Sequence, residues 1–131
     1  MPLTEFTMNG YLWRIEFVDA NDPMLVDRTG TLTVATTDPS TLTLYLSYEL
    51  YRNHDFMNRV LIHELGHCVI FSFNLLDDIH RMVHPKYWVD AEEWICNFIA
   101  DYGSKIFSIA YSVLGDDAIT ILPYELEKLV A

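Results

Sequence analysis

Residues 54–74, HDFMNRVLIHELGHCVIFSFN, are apolar nearly all the way round when wound into a helix. A helix with no polar face has to be buried, so other elements must cover this one on all sides. Three ionisable side chains, His63, Glu64 and His67, sit inside the run among Val60, Leu61, Ile62, Leu65, Cys68, Val69 and Ile70. Burying them is expensive unless they pair or bind a metal. Gly66 between them costs about 1 kcal/mol in a helix interior relative to Ala, and makes sense if something must approach the backbone closely.

The cover comes from both sides of the run. Tyr11–Val18 alternates, with Trp13, Ile15 and Phe17 on one face and Arg14 and Glu16 on the other, the period of a half-buried strand. Ala20–Gly30 reads as a loop. Thr31–Thr36 and Thr41–Ser47 read as two strands of a hairpin, joined by the turn residues Thr37-Asp38-Pro39-Ser40. After a polar loop around Asn74–Asp78 and the punctuating Pro85, a second long helix is expected from near Asp90 to Gly115, a residue suited to a helix C-terminus. Trp94–Leu114 is the most apolar stretch, but its Asn97, Asp101, Gly103 and Lys105 suit a buried helix better than a membrane span. The tail suggests a short strand, Ala118–Leu122, and a terminal helix opened by Pro123. With 131 residues and no repeat or linker, one domain spanning 1–131 is expected, of the α+β class.

Spacing makes His63-Glu64-Leu65-Gly66-His67 a chemical signal. Residues four apart stack on one helical face, so both imidazoles can reach one metal ion. Zinc (Zn2+) accepts such nitrogens at about 2.0–2.1 Å and leaves positions for a carboxylate and a water. Glu64, one step round, can take the proton of that water, whose pKa the metal lowers to about 7.

The stretch Val60–Val69, VLIHELGHCV, resembles the extended signature of the zincin metallopeptidases, in which uncharged residues flank an HExxH core. The metzincin branch would continue with Gly and His where this chain has Ile70 and Phe73. Glu93-Trp94-Ile95-Cys96-Asn97 is similar to the Glu-x-x-x-Asp/Asn element of gluzincins, and its position 26 residues after His67, with Ala100 following, resembles the ImmA/IrrE-type minimal metallopeptidases. That resemblance implies a zincin-like fold, a small antiparallel sheet packed on the HExxH helix and a second long helix. It implies zinc held by His63, His67 and Glu93, peptide hydrolysis with Glu64 as general base, and an edge strand that binds extended substrate; Thr41–Ser47 is the expected edge. Asn97 and Asp101, on the face of Glu93, could orient the zinc-bound histidines. Glu93 could instead close a capping box with Asp90 as N-cap, and Glu92 is the neighbouring ligand candidate, without an Asn or Asp four residues on. A rival resemblance to the SprT-like branch rests on His84-Pro85-Lys86-Tyr87-Trp88 and would put His84 in the metal sphere in place of Glu93. Within the gluzincin reading, His80, His84 or Tyr87 could polarise the substrate carbonyl.

Charge narrows the partners. A formal net charge of −11 with 8 basic residues disfavours a nucleic-acid surface and docking on an anionic membrane, leaving a protein or peptide substrate. Cys68 and Cys96 belong to no Cys-x-x-Cys pair and read as reduced core residues. The amino terminus, MPLTEFTMNG, carries no basic segment followed by an apolar run, so no signal peptide is expected and the expected location is the cytoplasm. Two non-enzymatic readings stand beside the peptidase: a catalytically silent zinc-binding module acting through protein contact, and a structural protein whose HELGH is accidental.

Overall fold

The computed structural model of the chain describes residues 4–119 and 121. By contact the chain divides into two compact units, Met1–Asp101 and Tyr102–Ala131.

The first unit is α+β. Four strands, β1 (Glu5–Met8), β2 (Tyr11–Val18), β3 (Ala35–Asp38) and β4 (Thr43–Ser47), form one sheet in the order β1-β2-β4-β3. The expected antiparallel sheet is in fact mixed. β1/β2 and β3/β4 are antiparallel, but β2 and β4 run parallel, Ile15 opposite Leu44. Alternation along a strand fixes which face is buried, and it is silent on which neighbour the strand takes. β1 is additional to the expected strands. Asn9 (φ 48°) and Gly10 (φ 84°) turn it into β2 through two left-handed residues, the conformation that two-residue hairpin loops need. The β3/β4 hairpin is present but shifted, so Thr37 and Asp38 belong to a strand. The edges are therefore β1 and β3, and the expected edge, Thr41–Ser47, lies in the sheet interior as β4.

Helix α1 (His54–Ser72) starts where Asn53 Oδ1 accepts from Phe56 N at 3.1 Å. Its apolar circumference is used on several sides. Val60 packs with Ala35, Leu46 and Leu50, and Cys68 with Trp13 and Leu44 of the sheet. Ile70 packs with Ile79 and Cys96 of the two following helices, α2 (Leu76–Met82) and α3 (Trp88–Leu114). Trp13 is fully buried and donates from Nε1 to Ser72 Oγ at 2.9 Å, pinning β2 to the end of α1.

Helix α2 occupies the segment expected to be a loop and its sequel. Helix α3 begins at Trp88, two residues before Asp90, so Asp90 is inside the helix and not its N-cap. A built Cβ on Gly66 would lie 3.0 Å from Cys96 Sγ and 3.4 Å from Cys96 Cα, so the missing side chain is what lets α1 and α3 touch.

In the second unit α3 continues to Leu114, and Gly115 (φ 65°) ends it in the left-handed conformation, as expected. The stretch Trp94–Leu114 is not a buried helix: Trp94, Ile106, Ile109 and Val113 are exposed and only Cys96 is fully covered. No single helix among the described residues is long and apolar enough to cross a membrane. The strand expected over Ala118–Leu122 opens instead as a 3-10 turn, Gly115–Ile119, and the helix expected from Pro123 lies outside the described residues.

Candidate metal centre

Two turns of α1 and the first turns of α3 face each other across the contact that Gly66 permits. From α1 come His63 and His67, whose Nε2 atoms are 3.2 Å apart. From α3 comes Glu93, with Oε2 3.0 Å from His63 Nε2 and Oε1 3.2 Å from His67 Nε2. The three side chains could together hold a metal ion. Their separations fit one: a tetrahedral centre with bonds of about 2.0–2.1 Å needs donors about 3.3 Å apart. Two neutral imidazoles and a carboxylate are the donor set of open, three-ligand zinc sites.

Behind the histidines stands Glu92. Its Oε1 is 2.8 Å from His67 Nδ1, which fixes the His67 ring and leaves Nε2 to face Glu93 and His63. His63 has no such support; its Nδ1 is buried without a hydrogen-bond partner among the described residues. Arg28 donates to both glutamates, from Nη1 to Glu92 Oε2 at 2.9 Å and from Nη2 to Glu93 Oε1 at 3.1 Å.

Glu64 points toward the sheet side of the same cluster. Its Oε1 accepts from the Thr37 hydroxyl of β3 at 2.8 Å, while Oε2 lies 3.8 Å from His63 Nε2. Burial pushes the Glu64 carboxyl up, opposed by His67, the Thr37 hydroxyl and His63. Burial also works against a charged His67, but hydrogen bonds with Cys96, Glu92 and Glu93 outweigh it and hold the imidazolium up to about 12. Glu93 is held far below the ordinary carboxylate range by its hydrogen bonds with His63 and His67. Charge-assisted hydrogen bonds thus link His63, His67, Glu92 and Glu93 to one another.

The cluster opens into a cleft of about 650 Å³ between β3 and the two helices, bordered by Thr36, Asp38, Phe56, Arg59 and Asn97. Of the other sequence candidates, only Asn97 borders it. Asp101 receives both Nε and Nη2 of Arg59 at 3.0 Å and orients no histidine. His80 stacks on Trp88, ring centroids 3.9 Å apart, and His84 caps the 3-10 turn Pro85–Tyr87 by accepting from Lys86 N at 3.2 Å. Tyr87 lies beneath the Lys86 ammonium, and neither it nor the two histidines borders the cleft. Glu93, and not His84, joins His63 and His67, and the capping role open to Glu93 is ruled out by the earlier helix start.

Two participants, Arg28 and Thr37, escaped sequence reading, and Glu92, a ligand candidate there, stands behind His67 instead. Arg28 and Thr37 lie in a loop and an edge strand that carry no motif. No family model, curated protein or solved structure matches this chain.

Proposed function

We propose that the chain is a zinc-dependent metallopeptidase with a zincin-like, gluzincin-type centre. The observation that carries this reading is the convergence of His63 Nε2, His67 Nε2 and Glu93 from two helices, with the Glu64 carboxylate beside them at the floor of an open cleft. Zinc, bound by these three ligands, would supply a Lewis acid that activates water and polarises a peptide carbonyl. Glu64 takes the proton of the attacking water on Oε2, since Oε1 is occupied by Thr37, and hands it to the leaving amine. Its burial supports this role, because a carboxyl with a raised pKa is better matched to proton transfer near neutrality. An extended peptide would add to the outer edge of β3, beside the cleft, through main-chain hydrogen bonds. Retention of Glu64 favours an enzyme over a silent zinc module, because metal binding alone does not need that base.

Elemental analysis of the purified protein is the first test, with about one zinc per chain expected; less than about 0.3 mol per mol after dialysis would return HELGH to a structural accident. The Glu64→Gln variant should keep its zinc and lose cleavage of an unstructured protein substrate. A zinc-loaded wild type that cleaves nothing across a diverse peptide library would favour the silent module.

A further inference from the structure

Arg28 belongs to no motif, yet it touches both glutamates at the start of α3. A short hydrogen-bonded loop presents it. Asp27 Oδ1 accepts from Thr29 N at 2.9 Å, Thr31 N at 3.1 Å and the Thr29 hydroxyl at 2.6 Å, and Gly30 turns the chain at φ +85°. From there the guanidinium forks, Nη1 to Glu92 Oε2 at 2.9 Å and Nη2 to Glu93 Oε1 at 3.1 Å. Each glutamate thus has one oxygen on Arg28. The other oxygens go to the histidines, Glu92 Oε1 to His67 Nδ1 at 2.8 Å and Glu93 Oε2 to His63 Nε2 at 3.0 Å, while Glu93 Oε1 is shared between Arg28 and His67 Nε2, 3.2 Å away.

We propose that Arg28 is a positioning residue that gives two adjacent glutamates different tasks, holding Glu92 behind His67 and committing Glu93 to the metal through Oε2 by occupying Oε1. This rests on the metal centre proposed above. A carboxylate with both oxygens free can close on a cation with both and use up a further coordination position. A catalytic centre needs that position open. A planar guanidinium can serve two carboxylates at once, whereas the ammonium of lysine is a single point of charge. Arg28 is close to half exposed, at 45% for its side chain, so its bare Coulomb attraction is screened and its geometry matters more.

Substituting Co2+ for zinc in the full chain gives a readout independent of cleavage, since the intensity of its visible absorption reports coordination geometry. Wild type should show the strong bands of a four-coordinate centre. Arg28→Met at saturating Co2+ should absorb at roughly half that intensity or less, and bind zinc about 10-fold or more weakly in chelator competition. Arg28→Lys should follow Arg28→Met. If metal-free Arg28→Met does not unfold cooperatively, Arg28→Lys, which keeps a charged stem, carries the comparison alone. A spectrum and affinity matching wild type in Arg28→Met, or full restoration by Arg28→Lys, overturns the proposal while the metal centre stands. A wild type that takes up neither Co2+ nor zinc overturns the metal centre itself.

Discussion

Glu92 and Glu93 are consecutive on a helix, about 100° apart, and still both reach the histidine pair. They do so because His67 offers a different nitrogen to each, Nδ1 to Glu92 and Nε2 to Glu93. The two should therefore fail differently. Glu93→Ala is expected to release the metal on dialysis; Glu92→Gln should keep full stoichiometry but bind zinc about 10–100-fold more weakly. His84→Ala should match wild type in the same chelator titration, and metal loss on that change with retention in Glu93→Ala would reverse the ligand assignment. Thr37→Val should lower cleavage roughly 10-fold by freeing the Glu64 carboxyl to rotate, with Thr37→Ser restoring it and zinc content unchanged in both. How far these residues could be read in advance follows the range of the contact. His63, Glu64 and His67 lie within one helical turn, where spacing alone fixes which side chains meet. Glu93 came from its resemblance to a known element, and Glu92 was passed over because that element requires an amide or carboxylate four residues on. Arg28 meets Glu92 across 64 residues, and Thr37 meets Glu64 across 27, so nothing local marks either one. Asp101, legible as a helper of the histidines, is claimed by Arg59, a pairing that depends on how α1 and α3 pack.

At the scale of elements, the centre depends on how closely α3 lies against α1. Gly66 sets that distance, and the contact it meets is Cys96, on the same helix as the two glutamates. Gly66→Ala would gain about 1 kcal/mol of helix propensity, but overpacking at 3.0 Å costs about 1–3 kcal/mol, so a net loss of about 1 kcal/mol is expected in denaturant unfolding. The same push moves Glu92 and Glu93 outward, so zinc affinity should fall with stability. Truncating the obstructing thiol should relieve part of the strain. Gly66→Ala with Cys96→Ala is expected to be less destabilised than the sum of the two changes; strict additivity would mean that the helices do not meet through this pair. The glycine inside HELGH thus has a packing reason that its sequence position had already suggested. Other elements were legible to the extent that their determinants were local. The α1 start follows from the Asn53 cap, the α3 end from Gly115, and the β2 faces from alternation. The β1 hairpin had a usable signal in Asn9-Gly10, next to an alternating Phe6 and Met8, but four residues make a weak pattern. The parallel pairing of β2 with β4 had none, because it is chosen by where the loop of residues 19–34 returns the chain. The sheet edge was misplaced for the same reason.

For the molecule as a whole, the cluster ties stability to pH in a way that zinc should alter. Glu93 and Glu92 have carboxyls lowered from 4.5, Glu93 by its hydrogen bonds with His63 and His67, Glu92 against its burial by those with His67 and Arg28. A lowered acid stabilises the fold above its unfolded value, so that contribution is present above pH 4.5 and is lost as pH falls. His67 is raised from 6.5 to about 12, so its contribution is whole below pH 6.5 and drains away as pH rises toward the folded value. Glu64 acts in the opposite sense to the other glutamates: burial raises its carboxyl, so ionising it opposes folding above pH 4.5. Metal-free protein should then be most stable between about pH 4.5 and 6.5 and melt lower at pH 8 than at pH 5.5. A chain with a formal charge of −11 adds self-repulsion in the same direction as pH rises. Zinc must displace the His67 proton, so its affinity rises with pH. At a hundredfold excess over its dissociation constant it stabilises the fold by about 2.7 kcal/mol, roughly 10 °C for a chain of this size. At a fixed zinc concentration that increment should be larger at pH 8 than at pH 5.5, so that loading the protein flattens or reverses its pH profile in thermal unfolding. An increment independent of pH would mean that the cation binds somewhere other than between these imidazoles.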